Sequence, residues 1–183
     1  MSGMILRSED KKMKFNVKNM LFLGEASDEH CFYRLRNILE EYEDTKVFIH
    51  TYDKYSMLPS KMDGYDNVTV GSYETPDNIK VALDYINANV SRRLKLLFDS
   101  NVENIKYYNS KKGNNLERYV FVLVLPERFD SETYSAYYDA MKKYYKLNSK
   151  DTGIHLAVCS RYPNLVPKSM RYMFNLSVTD FGM

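Results

Sequence analysis

The sequence has no tryptophan, two cysteines and a formal net charge of only +2 across 183 residues. Charge this close to balance gives no strong field for nucleic acid, whose dedicated binders are usually far more basic, so no nucleic-acid partner is expected. Cys31 and Cys159 lie far apart and form no Cys-x-x-Cys pattern, which leaves a reduced compartment as the plain reading. Long apolar runs are missing too. None reaches the roughly 18 residues a membrane-spanning helix needs, and the opening "MSGMILRSEDKKMKF" turns charged after two apolar residues, unlike a signal peptide. A module that does not itself insert in a membrane is expected. With no internal repeat and no low-complexity linker, residues 18–183 read as one domain behind an N-terminal segment, 1–17.

What is present is an ordinary globular mix, 44% apolar and 27% charged, long enough for one well-buried core. Its 17 tyrosines and 9 phenylalanines are many. Such rings can furnish a partner surface, although most are expected to cap the edge of the core.

The periodicity alternates. "KNMLFLG" (Lys18 to Gly24) reads as a short buried strand, and Phe32, Leu35, Leu39 and Tyr42 then recur at helical spacing. "TKVFIHTY" is a second compact run and "NVTVG" a shorter one. Thr75, Pro76 and Asp77 form a helix start, followed by one stripe of Ile79, Leu83, Ile86, Val90, Leu94 and Leu97. "NSKKGNN" is a loop. "RYVFVLVLP" has the continuous apolar character of a central parallel strand. Asp130 or Ser131 caps another helix, with Tyr134, Tyr138, Met141 and Tyr145 expected on its inner face. "GIHLAVCS" is a further buried strand, and a turn around Lys168 to Phe174 leads into "NLSVTDF". Strands alternating with helices predict an α/β fold: a mostly parallel sheet with helices on both faces.

One stretch carries a motif in outline. "LFLGEASDEHC" lays the spacing G-x-x-x-x-G-K-[ST] over Gly24 to Cys31, but only the first glycine is present. Glu29 stands at the second glycine, His30 at the lysine and Cys31 at the hydroxyl residue.

The order of motifs resembles the FtsK/SpoIIIE family of P-loop motor ATPases over roughly Lys18 to Phe181. "GIHLAVCSRYP" (Gly153 to Pro163) is similar, without a gap, to that family's late strand and turn. "NVSRRLKLL" looks like its helix ending in an arginine pair. "VENIKYYNSK" is similar to its short element with a Tyr-Asn pair, here Tyr108 and Asn109, and "YVFVLVLPE" stands at its Walker B strand. The resemblance implies a P-loop NTPase-like fold of the RecA/FtsK type. It also implies roles for single positions. In working members, loop N–H groups cradle phosphates, the lysine reaches the β and γ oxygens, and the hydroxyl residue binds Mg²⁺. Here Glu29 blocks the close backbone approach, His30 is too short to replace lysine, and the Cys31 thiol is a poor ligand for a hard cation. Pro126 occupies the Walker B aspartate position, and Glu127 remains where the water-activating carboxylate would be. Arg161 replaces the glutamine that senses the γ-phosphate.

Charge points the same way. Two unit charges about 4 Å apart interact by roughly 4 kcal/mol at an effective dielectric near 20. Losing a lysine while gathering Glu25, Asp28 and Glu29 around the pocket reverses several such terms. Neither ATP nor Mg²⁺ is expected to bind, and no residue is assigned a catalytic role. A metal site at Glu29, His30 and Cys31 is not expected, because neighbouring residues at a helix start diverge and no distant His/Cys pair completes the ligands. Glu127 reads as a helix-start carboxylate, His155 and Cys159 as core residues, and the lysines of "SKKGNN" and "MKKYY" as solvated faces. The resemblance is strongest to coupling ATPases of type VII secretion, of the EssC type, whose last module is often degenerate. It implies a module cut from a longer membrane-anchored chain, on the cytoplasmic side of the cell membrane. Its expected partners are the other ATPase modules of that chain and secreted WXG-type proteins. The alternative is a divergent, active ATPase or DNA translocase of the FtsK type.

Overall fold

The computed structural model describes residues 19–72, 78–148 and 150–180. The apolar runs become six strands: β1 (Met20–Gly24), β2 (Thr45–Thr51), β3 (Val68–Ser72), β4 (Arg118–Val124), β5 (Ile154–Ser160) and β6 (Leu176–Asp180). They form one sheet in the order β3-β2-β4-β5-β1-β6, and every pairing is parallel. "RYVFVLVLP" is central, as expected, and "GIHLAVCS" lies between it and "NMLFLG". β5 is buried along its whole length, as a strand covered on both faces must be. β2 instead alternates, with Thr45, Val47, Ile49 and Thr51 buried and Lys46, Phe48 and His50 half-buried. It lies one place from the edge, and only one of its faces is fully covered.

Helix α1 (Ser27–Glu41) covers one face, burying Cys31, Leu35 and Ile38 against Phe22, Val47, Val122 and Cys159. Its phase differs slightly from expectation. Leu35 is on the buried line, whereas Phe32, Leu39 and Tyr42 flank it, half-buried. On the other face, α3 (Asn78–Asp99) places Ile79, Leu83, Ile86, Val90 and Leu97 in the core, with Leu94 packed at its border. The cap residues Thr75, Pro76 and Asp77 lie outside the described residues, as does the segment 1–17. Beside α3 runs α5 (Ser131–Leu147). Asp130 is its cap, accepting from the Thr133 amide at 2.8 Å.

The inner face of α5 corrects the sequence reading. Tyr137, Ala140, Met141 and Tyr144 are buried, while Tyr134 and Tyr138 are half-buried and Tyr145 is exposed against Tyr172. With tyrosines on both sides of the helix, apolarity alone does not set its rotation. A hydrogen bond supplies the missing information. The Tyr144 hydroxyl donates to Asn19 Oδ1 at 2.7 Å, and the same oxygen accepts the Leu156 amide at 3.0 Å. Short elements complete the chain: α2 (Leu58–Lys61), α4 (Ile105–Ser110), a 3₁₀ turn at Pro163–Leu165 and α6 (Lys168–Arg171). The "NSKKGNN" segment begins inside α4, with Asn109 and Ser110 in its last turn, and becomes a loop only from Lys111; Asn109 clamps it by donating to the Leu116 carbonyl and accepting its amide.

One glycine is dictated by its surroundings. Gly153, entering β5, has φ +71°, and a Cβ there would collide with Ile105 Cδ1. The close approach lets Arg93 of α3 reach across and donate to the Thr152 carbonyl at 3.0 Å.

His155 lies within β5, only 6% exposed, with its Nε2 unpartnered and 3.9 Å from Asp151 Oδ1. Burial pushes its pKa down from 6.5 to about 4, with Asp151 opposing. The unfolded chain therefore binds a proton that the folded one refuses. The stabilisation is complete above pH 6.5 and is lost as pH falls towards 4, a change of about 3 kcal/mol. Urea melts of the native and His155→Met proteins across that window check it, since the substitution should flatten this part of the profile.

Candidate functional site

Because the sheet is parallel, four strands deliver their following residues to one edge. The register sets Leu23 beside Ser160, Cys159 beside Val124, and Val124 beside Thr51. The residues after them, Glu25, Asp53, Pro126 and Arg161, thus gather at the carboxyl edge, where open α/β sheets bind ligands.

The turn after β1 is short. Gly24 adopts φ +107°, Glu25 and Ala26 make the turn, and α1 begins at Ser27. The His30 amide already donates to the Ala26 carbonyl at 3.0 Å. Glu29, His30 and Cys31 are therefore helical, and Cys31 points into the core. The sequence overlay expected a polar loop here. Ser27, Asp28 and Glu29 are good helix-start residues, and the helix takes them.

The first turn of α1 is held to the segment following β2. Asp28 Oδ2 accepts from the Ser56 hydroxyl at 2.8 Å and from the Met57 amide at 2.7 Å. Its Oδ1 accepts from the Cys159 thiol at 3.4 Å. Burial pushes that thiol's pKa up, with Cys31 and Asp28 adding to the effect, so Cys159 stays a protonated core residue. Glu29 meets Lys61 of α2 at 3.4 Å.

Arg161 does not stand alone. Its Nε and Nη2 donate to Asp53 Oδ2 at 3.1 and 2.7 Å, and Asp53 Oδ1 accepts the Tyr55 amide at 2.9 Å. The carboxylate side chain is 5% exposed and the guanidinium side chain 23%. Burial works to lower the Arg161 pKa, but the bonds and charge of Asp53, with Asp28 behind it, raise it on balance.

Pro126 is buried just past β4, and Glu127 is exposed on the bend beyond it. Helix α5 starts only at Ser131 and takes Asp130 as its cap, so Glu127 is not the helix-start carboxylate the sequence suggested. Among the described residues, no group of three or more His, Cys, Asp or Glu side chains could hold a metal ion. No described helix is long and apolar enough to cross a membrane.

Sequence reasoning singled out Arg161 but missed Asp53, Ser56 and Lys61. A signal for Asp53 existed: an acid directly after an apolar strand, at what becomes the carboxyl edge of the sheet.

Solved structures share this architecture. The pCW3 conjugation coupling protein TcpA, in a monomer form with ATPγS, matches with TM-score 0.67 at 19% identity, over 91% of this chain and 49% of that one. EssC (ATPases 2 and 3) from Geobacillus thermodenitrificans matches with TM-score 0.68 at 14% identity, over 90% of this chain and 32% of that one. The fold is that of an EssC-type ATPase module. EccC (ATPases 2 and 3) from Thermomonospora curvata, in complex with a signal sequence peptide, matches with TM-score 0.63 at 11% identity, covering 88% and 30%. This chain spans half or less of each of these proteins. No family model and no curated protein matches the sequence. In this chain Asp28, in the first turn of α1, and Cys159, at the end of β5, are joined by a hydrogen bond.

Proposed function

We propose that this chain is a non-hydrolysing FtsK/SpoIIIE-type module that serves a type VII secretion ATPase by docking substrates or regulating neighbouring modules. One observation carries the reading. Polar groups at the carboxyl edge of the sheet are already bonded to one another, Asp28 to Ser56 and Met57 and Arg161 to Asp53. Asp53 offsets the charge of Arg161, and the Asp28 carboxylate occupies the first turn of α1, so a polyphosphate there would lack the free cation of a working cradle. Its partners in this reading are other ATPase modules of the same chain and secreted WXG-type proteins. It works at the cytoplasmic side of the membrane. The signal sequence peptide bound to the EccC protein supports substrate docking as a role for this fold.

Calorimetry with ATP and Mg²⁺, beside a turnover assay, tests it. No binding tighter than about 100 μM is expected, which corresponds to roughly 5.5 kcal/mol. Tighter binding or turnover above a blank would overturn the reading and favour the divergent ATPase or translocase. In a full-length parent, deleting Lys18 to Met183 should block or redirect export, while Glu29→Ala with His30→Ala should leave it nearly unchanged.

A further inference from the structure

The geometry points to a second site, at the opposite edge of the sheet, that takes a small organic anion. Between the carboxyl half of α3 and the chain entering β4 lies a cavity of about 580 Å³. Three cations line it, Arg92, Arg93 and Lys95, together with the amide side chain of Asn115 and the ring of Tyr119. Leu96 and Leu116 add apolar wall.

Arg93 distinguishes this cavity from a basic patch on the surface. It is only 3% exposed, its guanidinium sits 4.3 Å over the Tyr119 ring, and its Nη1 donates to the Thr152 carbonyl. Its Nε has no partner. A carbonyl and a tyrosine, through its ring face and hydroxyl, carry no formal charge to neutralise a buried cation, and burial without a counter-charge is costly. Desolvation lowers the Arg93 pKa, opposed by Tyr119 and, more weakly, by Glu117. Among the described residues, no carboxylate lies within ion-pair distance of Arg92, Arg93 or Lys95. Two acids do share the cavity wall. Glu117 is engaged elsewhere, 2.8 Å from Lys46 and accepting the Tyr119 hydroxyl at 3.4 Å. Asp99 is exposed to solvent. Arg92 donates to Asn89 alone, at 3.3 Å.

The counter-ion the cavity lacks is its ligand. Planar guanidinium groups suit a carboxylate or a phosphate ester, and the volume leaves room for an apolar body against Tyr119, Leu96 and Leu116. The site is independent of the turn after β1, so it stands or falls separately from the reading of that turn.

The test titrates the full chain with phenyl phosphate, benzoate and the neutral benzyl alcohol, followed by amide chemical shifts. Anion binding should move resonances of residues 92–99 and 115–119, and benzyl alcohol should move none. The exposed pair Arg92→Gln with Lys95→Gln should weaken anion binding at least about tenfold without altering the melting temperature. Binding of one anion alone supports the site and assigns its ligand as phosphate or carboxylate. Equal binding of benzyl alcohol, undiminished anion binding by the double variant, or silence of both anions at about 10 mM, where even weak affinity registers, would overturn it.

Discussion

Val122→Asp protein is expected not to fold. Val122 sits mid-strand in β4, fully buried, with Ile49 across one ladder and Ala157 across the other. Its side chain lies in the core beneath α1. A carboxylate there finds no cation and no water, and whether it stays charged or takes a proton, the cost is several kcal/mol. Domains of this size are stable by only about 5–15 kcal/mol, and the strand is shared by both cores, so no local rearrangement relieves the burial. Val122→Ala is the control and should cost about 2 kcal/mol while melting cooperatively. Circular dichroism and thermal melts decide the matter. A soluble Val122→Asp chain with a cooperative transition would mean that β4 is not covered on both faces.

The strands were legible because burial on both sides demands continuous apolar sequence, and "RYVFVLVLP" and "GIHLAVCS" satisfy that demand without ambiguity. Helix phase was less legible. The stripe of α3 is aliphatic and reads correctly, whereas α5 offers tyrosine at 134, 137, 138, 144 and 145, and a ring that tolerates both core and solvent carries little phase information. The bond from Tyr144 to Asn19 joins residues 125 apart, and local periodicity cannot anticipate it. The same holds at the carboxyl edge. Replacements at Glu29, His30, Cys31, Pro126 and Arg161 could be read one by one, but what Arg161 does instead depends on Asp53, 108 residues away. The length of the turn after β1 was also hidden, because the motif overlay presumes a loop where the residues themselves favour helix.

The Asp53–Arg161 pair gives the second large effect. Arg161→Ala should destabilise the domain by about 3 kcal/mol, because it leaves a carboxylate that is 5% exposed without its cation. Asp53→Ala should cost a comparable amount by a different route. The Arg161 side chain, 23% exposed, recovers part of its hydration, but the Tyr55 amide loses its acceptor. That amide begins the segment that presents Ser56 and Met57 to Asp28, so the loss should spread to the first turn of α1. Hydrogen exchange at Tyr55 and Met57 should accelerate in both variants. Replacing both residues together, as Asp53→Leu with Arg161→Leu, removes the stranded charge and should restore much of the stability, as apolar substitution of buried pairs often does. Urea titrations of the two alanine variants and the combined alanine variant close a double-mutant cycle, whose coupling should fall in the range of about 1–3 kcal/mol. Additive single effects would show that the two groups act on the fold separately, and that Arg161 is not held by Asp53.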